Sequence, residues 1–364
     1  MERKFERVIS ADSHMMEPMD LWWDALGSKY GDTVPRLLEE HDGEKGRFFF
    51  NGSTVRPVGG SEGDAEARYL MAAGYDPEVR VKFQLEAEVE SELLHPTRLL
   101  SILHHPDPNI MLACCQVYND WMADFASHDQ KRFLAGSVIP MGDIGWAERE
   151  LERVAKQGAR TAAISLEPPE GCPPYRNSAY DRFWSIAEEM EIPLTLHIFM
   201  GKPRPHFDAL PPERQDENAE ILLLSQYEIT WVLARDFIFG TILDRFPRMQ
   251  IIDSEFEVGW IPFFNWWLDR FQNDWGHRMK MPDLKIKASD YMRKRIWHGF
   301  IDDPQLTYAL SDIGADHVLW GSDFPHIRSL GLDTHERLPG LLEGLTQDQQ
   351  QSLISSNAIR LWDL

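Results

Sequence analysis

Short apolar segments alternate with amphipathic segments along most of the chain. Apolar runs of this length are typical of buried parallel strands, and apolar residues three and four positions apart between them are typical of helices. The predicted strands are Val8–Ala11, Val89–Leu94, Phe133–Ile139, Thr161–Leu166, Pro193–Ile198, Gln250–Ser254, Arg295–Phe300 and His317–Trp320. Strands in this number, alternating with helices, predict an α/β fold, a distorted TIM (β/α)8 barrel. A doubly wound open sheet is the alternative.

Two intervals between predicted strands are longer than a simple connection. Residues 19–84 separate the first two strands, and residues 201–245 separate the fifth strand from the sixth. Because long structureless loops are uncommon in compact domains, we expect insertions after strands 1 and 5. They would cover the barrel mouth or build an oligomer interface, within a single domain of residues 1–364.

The charge of the chain restricts its partners. The 364 residues include 37 basic and 59 acidic side chains, which gives a formal net charge of −22. Such a surface repels phosphate backbones and anionic membranes, and no segment is apolar over the ~18 residues of a membrane helix. The charged amino terminus lacks the apolar core of a signal peptide. We therefore expect a cytoplasmic protein that binds a small molecule and neither nucleic acid nor membrane.

Imidazoles and carboxylates stand at most of the predicted strand ends, where barrel enzymes place their catalytic groups. They are Asp12 and His14 after the first strand, His197 in the fifth, Asp253 and Glu255 around the end of the sixth, His298 in the seventh and Asp323 after the eighth. The ends of the second, third and fourth strands carry far fewer such groups, since the residues there are Pro96, Pro140 and Glu167. This asymmetry indicates a functional site at one end of the barrel.

Asp12 and His14 predict a metal site. Two residues apart on a strand, they point to the same face, and in a barrel that face can be the interior. There they would converge with His197 and Asp323 from other strands. This mixture of imidazoles and carboxylates suits Zn, Mn or Fe(II) and lacks the thiolates of a structural zinc site. Singly, each residue is better explained as a turn cap or a core histidine, but together they favour a divalent metal.

Several segments resemble one enzyme family. DSHMMEPMDLW, at residues 12–22, is similar to the opening strand of the amidohydrolase superfamily, in particular the amidohydrolase-2 branch that includes aminocarboxymuconate-semialdehyde decarboxylase. The similarity continues in VYNDWMADF (117–125), ILDRFP (242–247), SEFEVGWIPFF (254–264), LWGSDFPH (319–326) and the closing NAIRLWDL. It therefore covers nearly the whole chain. The resemblance implies a distorted (β/α)8 barrel with a divalent metal at the strand ends.

The resemblance also implies roles for individual residues. Asp12, His14 and His197 match metal ligands, and Asp323 matches an aspartate that binds the metal and exchanges a proton with its water. The sixth strand departs from the pattern, because this chain has Glu255 where the decarboxylases have an acid/base histidine. A carboxylate there could act as a general base, bind the metal, or bridge two ions through its two oxygens.

Two further histidines are candidates for the same site. His298 on the seventh strand is interpreted as a catalytic residue, a ligand of a second ion or a core histidine. His326, three residues after Asp323, could bind a second ion, orient the substrate or serve a structural role. The predicted cofactor is accordingly one or two divalent transition-metal ions, Zn, Fe or Mn.

The leading functional hypothesis is a metal-dependent hydrolase, in which metal-bound hydroxide attacks a carbonyl of a small organic molecule. Asp323 and Glu255 would move the protons. Three alternatives stay open: a non-oxidative decarboxylase of a small carboxylic acid, a dinuclear Fe or Mn oxygenase, and a partner subunit of a hetero-oligomeric metalloenzyme. An aromatic segment around Trp260–Trp267 would then form the interface, and a homo- or hetero-oligomer is expected.

Overall fold

The structure, a computed structural model, describes residues 5–58, 65–200, 225–326 and 329–364. Within these ranges the strands are β1 (Ile9–His14), β2 (Arg36–His41), β3 (Glu44–Phe50), β4 (Val55–Pro57), β5 (Ser91–His95), β6 (Phe133–Ile139), β7 (Thr161–Ile164), β8 (Leu194–His197), β9 (Ile251–Ser254), β10 (Ile296–Phe300) and β11 (Val318–Trp320). β2, β3 and β4 form an antiparallel sheet. The other strands form a parallel sheet in the order β1-β5-β6-β7-β8-β9-β10-β11.

Helices alternate with these parallel strands, as the apolar periodicity predicts. Those in the described ranges are α1 (Leu21–Tyr30), α2 (Ala65–Ala73), α3 (Pro77–Ala87), α4 (Arg98–Ile102), α5 (Pro108–Ser127), α6 (Ile144–Lys156), α7 (Asp181–Glu189), α8 (Glu228–Val232), α9 (Ile242–Arg245), α10 (Ile261–Asp274), α11 (Ala288–Arg295), α12 (Leu306–Ile313), α13 (Thr334–Leu341), α14 (Gln347–Gln351) and α15 (Asn357–Trp362). π-Helical segments at 233–238 and 352–356 adjoin α8 and α15.

Helix α6 shows how the sequence sets such an element. Asp143 is the N-cap, and its carboxylate accepts a hydrogen bond of 2.8 Å from the backbone N–H of Trp146. Ala147, Leu151 and Val154 then recur at a spacing of three to four and are buried against the sheet. A cap followed by one apolar face is sufficient to define the helix and its orientation.

The two ends of the parallel sheet join just beyond β11. The backbone N–H of Asp323 donates to the carbonyl of Asp12 at 2.9 Å, and the N–H of His14 donates to the carbonyl of Phe324 at 2.6 Å. These hydrogen bonds connect β1 to the segment that follows β11. The predicted TIM-like barrel is therefore confirmed, and the open doubly wound sheet is not the fold of this chain.

A register shift in β1 separates the core of the barrel from its mouth. Ile9 and Ala11 pack in the lower interior with inward residues of other strands, namely Leu93, Leu134, Ile252, Trp297 and Leu319. The pairing of β1 with β5 shifts between Ser10 and Ser13. An irregularity of this kind changes which residues face inward, because strand side chains otherwise alternate. Asp12 and His14 can therefore face the interior above Ala11.

The intervals predicted as insertions contain regular structure. Residues 19–84 include α1, β2–β4, α2 and part of α3, and the indole N–H of Trp22 on α1 donates to the carbonyl of Cys114 on α5 at 3.1 Å. In the second interval, residues 225–245 carry α8, a π-helical segment and α9, whereas residues 201–224 lie outside the described residues. That these intervals are insertions within a single domain stays a prediction.

Helix α10 has one buried and one exposed face. Ile261 and Leu268 are buried, whereas Phe263, Trp266 and Trp267 are 69%, 51% and 45% exposed. Contiguous exposed aromatic side chains are typical of interaction surfaces, so the predicted oligomer remains consistent with this helix. Among the described residues, no helix is both long and apolar enough to cross a membrane.

A fully buried ion pair fastens α3 to the barrel. The Arg80 guanidinium donates to both carboxylate oxygens of Glu92 on β5, at 2.6 and 2.9 Å, and neither side chain is exposed. Gln84 and Ser13 donate to the same carboxylate at 2.8 and 2.9 Å. Arg80 also donates to the carbonyl of His14 at 3.1 Å. This network therefore supports the part of β1 that carries Asp12 and His14.

We predict that Arg80→Ala lowers the free energy of unfolding by about 3–5 kcal/mol, because it leaves the Glu92 carboxylate buried without its cation. Lys82→Ala on the same helix is the matched control. Its exposed pair with Glu86 is worth less than about 0.5 kcal/mol. Urea denaturation of both variants measures the difference. Equal midpoints for Arg80→Ala and Lys82→Ala would contradict a supporting role for the buried pair.

Candidate metal centre

Six side chains from four chain segments converge at the C-terminal end of the barrel. They form two overlapping groups, in each of which the candidate ligand atoms lie within 4.8 Å of one another. The inner group is Asp12, His14, His197 and Glu255, and the outer group is His14, Glu255, Asp323 and His326. The structure thus brings together Asp12, His14, His197, Glu255, Asp323 and His326, but not His298, the other candidate for a second ion.

The distances between these atoms suit ligands of one ion better than direct hydrogen bonds. His14 Nε2 lies 3.6 Å from both Asp12 Oδ1 and Asp323 Oδ1. His197 Nε2 lies 3.6 Å from Asp12 Oδ1 and 3.4 Å from Glu255 Oε2. Nitrogen and oxygen atoms each ~2.1 Å from a transition metal are about 3 to 4 Å apart at the usual coordination angles.

The two inner imidazoles are held in an orientation that suits a metal. His14 Nδ1 lies 2.8 Å from the carbonyl oxygen of Pro96, and His197 Nδ1 lies 2.8 Å from that of Ile198. A carbonyl can only accept, so each Nδ1 carries the proton. Each Nε2 then directs its lone pair at the site, which is the usual arrangement of metal-binding histidines.

Several of these atoms are buried without a partner. In the described part of the chain, both Asp12 oxygens, His14 Nε2 and His197 Nε2 have no hydrogen-bond partner. A buried polar atom without a partner costs ~1–3 kcal/mol, and more if it is charged. Four such atoms that face one point, in a set of imidazoles and carboxylates, fit a divalent transition metal.

The electrostatic field at this point favours positive charge. Burial lowers the pKa of His197, but the Asp12 and Glu255 carboxylates outweigh it and raise that pKa to about 10. Burial, with Asp323 and Asp12 nearby, raises the pKa of Glu255 well above its usual value, although His197 opposes this. Burial also lowers the pKa of His14, so that imidazole is neutral and can act as a ligand.

Two of the carboxylates stand on strained backbone. Glu255, just after β9, has φ of 66°, and Asp323, after β11, has φ of 57°. The left-handed region is unfavourable for residues other than glycine, and it persists where the surrounding structure imposes it, often at functional sites. Both residues end a strand at the barrel mouth, where this conformation turns the chain out of the sheet.

A family model for amidohydrolases matches residues 93–364 of this chain. The chain belongs to the amidohydrolase family. The match covers most of the barrel, from within β5 to β11. It agrees with the resemblance to the amidohydrolase-2 branch that the sequence motifs indicate.

Curated relatives of this amidohydrolase include decarboxylases. The gamma-resorcylate decarboxylase of Polaromonas sp. strain JS666 is 27% identical over 222 residues, which are 57% of this chain and 64% of that enzyme. The alignment thus spans less than two thirds of that relative.

Solved structures share the fold. An amidohydrolase from Mycobacterium avium subsp. paratuberculosis K-10 gives a TM-score of 0.79 at 18% identity and covers 98% of this chain and 99% of that one. A dihydroxybenzoic acid decarboxylase from Polaromonas sp. JS666, with bound manganese and the inhibitor 2-nitroresorcinol, gives 0.67 at 18% identity and covers 99% and 98%.

His298 does not belong to the candidate metal centre of this amidohydrolase. Trp297 packs inside the barrel, so the next residue on β10 points to the opposite face. There His298 Nδ1 lies 2.6 Å from Asp253 Oδ2, and Nε2 lies 2.8 Å from the carbonyl oxygen of Met292. Both partners accept, so both ring nitrogens donate, and Asp253 raises the pKa of His298 against the effect of burial. The structure therefore assigns His298 a structural ion pair in place of the expected catalytic role.

His95 is a buried imidazole at the site that sequence reasoning missed. It ends β5, and its ring centroid lies 5.1 Å from that of His197 and 6.1 Å from that of His14. Burial lowers its pKa to about 4, and neither ring nitrogen has a partner among the described residues. Gly136 on β6 leaves it room, since a Cβ there would lie 3.2 Å from His95 Nδ1. The overlooked signal was the imidazole immediately before Pro96.

We predict that Gly321→Ala weakens metal binding by about tenfold or more. Changes to the groups that support metal ligands typically lower metal affinity by about 10–100-fold. A Cβ at this position would lie 2.5 Å from Asp12 Cβ, so the Asp12 side chain must move. Gly331→Ala, which meets no atom within 4 Å, is the matched control. Competition with a fluorescent chelator measures both affinities. Unchanged affinity in Gly321→Ala would contradict the assignment of Asp12 as a ligand.

Proposed function

We propose that this amidohydrolase is a metal-dependent, non-oxidative decarboxylase of a small aromatic carboxylic acid. The observation that carries the proposal is the buried group of Asp12, His14 and His197, whose ligand atoms face one point without other partners. The choice of reaction is supported by the relatives, which include a gamma-resorcylate decarboxylase and a manganese-containing dihydroxybenzoic acid decarboxylase. It departs from the hydrolase that the sequence motifs favoured.

Asp12, His14 and His197 would hold the metal, with Asp323 as a further oxygen ligand 3.6 Å from His14 Nε2. When bound, the ion would supply positive charge that binds the substrate carboxylate together with a neighbouring oxygen. The chain's own contribution is to fix the direction of that charge. The Pro96 and Ile198 carbonyls orient the two imidazoles, and the barrel backbone orients the two aspartates.

Glu255 is placed to supply the proton that the reaction requires. Decarboxylation breaks the bond between a ring carbon and the carboxylate, CO₂ leaves, and a proton takes its place on that carbon. Burial raises the pKa of Glu255, although His197 opposes this, and a raised pKa favours the protonated form that a general acid needs. The Glu255 side chain is 14% exposed, whereas that of its close partner His197 is 2% exposed. Glu255 is therefore the member of this pair that can face a substrate. Glu255 would thus replace the acid/base histidine that the family resemblance led us to expect.

Metal-dependent hydrolysis is the second candidate. Asp323 and Glu255 both belong to the outer group, and a carboxylate beside a metal can act as a general base toward water. The oxygenase and partner-subunit hypotheses have weaker support, because the relatives named above are decarboxylases and all the candidate ligands lie within one chain.

We predict that the manganese-loaded protein converts 2,6-dihydroxybenzoate or a related 2-hydroxybenzoate to the phenol and CO₂. In D₂O the product would carry deuterium at the carbon that lost the carboxylate. Glu255→Gln should lower kcat by about 10²-fold or more, as expected for loss of a general acid. Glu170→Gln, at an exposed position, should leave kcat unchanged.

Substrate depletion, CO₂ release and the mass of the product would be measured for both variants. Hydrolysis of ester or lactone substrates by the loaded protein, with no CO₂ released from any benzoate, would reject decarboxylation in favour of the second candidate. Full activity of Glu255→Gln would reject the proposed acid.

A further inference from the structure

We propose that the amino-terminal end of the barrel carries a binding site for a small anion with carboxylate or phosphate groups. The proposal goes beyond the proposed function and does not depend on it, because the site lies at the end of the barrel opposite the candidate metal centre. It begins from a cleft of about 910 Å³. Clefts of ~300–1,000 Å³ are typical of small-molecule sites.

The cleft lies where the parallel strands begin. Its lining includes Phe133 at the start of β6, Arg160 just before β7, Pro193 just before β8 and His317 just before β11. Helix α15, near the carboxyl terminus, borders the cleft through Arg360. The candidate metal ligands stand at the opposite ends of the strands, so a molecule in this cleft is separated from them by the packed interior of the barrel.

The charge of the lining is the reverse of that of the chain. Four cationic side chains line the cleft against two acidic ones, Glu191 and Asp363. The whole chain, in contrast, has 37 basic and 59 acidic residues. A concave surface with an excess of one charge attracts ligands of the opposite charge. The four cationic residues are Arg160, Arg248, Lys294 and Arg360.

Two of these cations are explained by the fold alone. Arg248 Nη2 lies 3.4 Å from Glu188 Oε2, and Lys294 Nζ lies 2.9 Å from Asp290 Oδ2. Lys294 also belongs to the last turn of α11, where a cation interacts favourably with the helix dipole. The anion site is therefore assigned to the other two cations.

Arg160 and Arg360 keep a positive charge that no carboxylate compensates. Among the residues that the structure describes, both donate to neutral acceptors and neither forms an ion pair. Arg160 Nη1 donates to the carbonyl oxygen of Trp362 at 3.1 Å. Arg360 Nη2 donates to the carbonyl oxygen of Asp316 and, at 3.3 Å, to Asn357 Oδ1. A guanidinium has five N–H donors, so each arginine retains donors for a ligand.

The Arg360 guanidinium is also held in place by an aromatic side chain. Its central carbon lies 5.0 Å from the centre of the Trp297 ring, which is fixed in turn by a hydrogen bond of 2.7 Å from its N–H to Gln250 Oε1. The ring of His317 lies 4.6 Å from that of Trp297, and burial with the charge of Arg360 lowers the pKa of His317 to about 4. A cation that is positioned before binding loses little freedom when the ligand arrives.

The class of ligand follows from the two guanidinium groups. Their planar, forked arrangement of donors matches the paired oxygens of a carboxylate or a phosphate. A dianion compensates both uncompensated charges, whereas a monoanion leaves one of them. We therefore expect a dicarboxylate or a phosphate group to bind more tightly than a monocarboxylate.

The experiment is isothermal titration calorimetry of the purified full-length chain with inorganic phosphate and, separately, with succinate. Binding of either anion at a single site, in the absence of Mn²⁺, is the expected result, and the tighter anion identifies the preferred group. Arg160→Gln and Arg360→Gln should each weaken this binding by about tenfold or more, because each removes charge-assisted hydrogen bonds. Arg278→Gln, which removes the same charge at an exposed position, should bind as the wild type.

Arg360→Lys and circular dichroism guard against a folding defect, and Arg360→Lys should bind more tightly than Arg360→Gln because it keeps the charge. Absence of binding of both anions at millimolar concentration would overturn the proposal. Binding only to the Mn²⁺-loaded chain would also overturn it, since the anion would then lie at the candidate metal centre. Equal affinities of folded Arg160→Gln, Arg360→Gln and Arg278→Gln would reject the two arginines as the site.

Discussion

The barrel closes through hydrogen bonds made by the same residues that form its candidate metal centre. The backbone of Asp12 accepts from Asp323, and the backbone of His14 donates to Phe324, so the seam between β1 and β11 lies at the candidate site. The hydrogen bonds that close the barrel therefore also fix the positions of the candidate ligands. Ligands carried by such backbone segments are held more rigidly than ligands on free loops, which suits a site that must bind one kind of ion.

Two buried carboxylates on neighbouring strands show how differently this fold compensates negative charge. Glu92 on β5 receives the Arg80 guanidinium and further hydrogen bonds, and it is fully satisfied. Asp12 on β1 lies close by in the interior, yet neither oxygen has a hydrogen-bond partner in the described part of the chain. The charge of Glu92 is thus compensated by the protein itself, whereas the unpartnered oxygens of Asp12 are consistent with the proposed role of Asp12 as a metal ligand.

Apolar patterning was sufficient to predict the strands of the barrel, because buried parallel strands are short apolar runs with few exceptions. The convergence of Asp12 and His14 with ligands on other strands followed from the rule that strand ends carry the chemistry. The rule does not apply to His298, because this residue lies in the middle of β10, whose end at Phe300 was predicted, and its side chain is on the outer face of the strand. His95 was missed because a strand end was assigned one residue too early. The register shift in β1 leaves no signature in residue type.

That register shift allows core and site to vary separately. In a regular strand, the inward positions form one alternating series, and any change of length or register would move apolar and ligating side chains together. The shift between Ser10 and Ser13 divides this series into two. The lower part can be repacked around Ile9 while the upper part keeps its direction. Relatives of this chain could therefore exchange metal-binding side chains on the first strand without rebuilding the barrel beneath them.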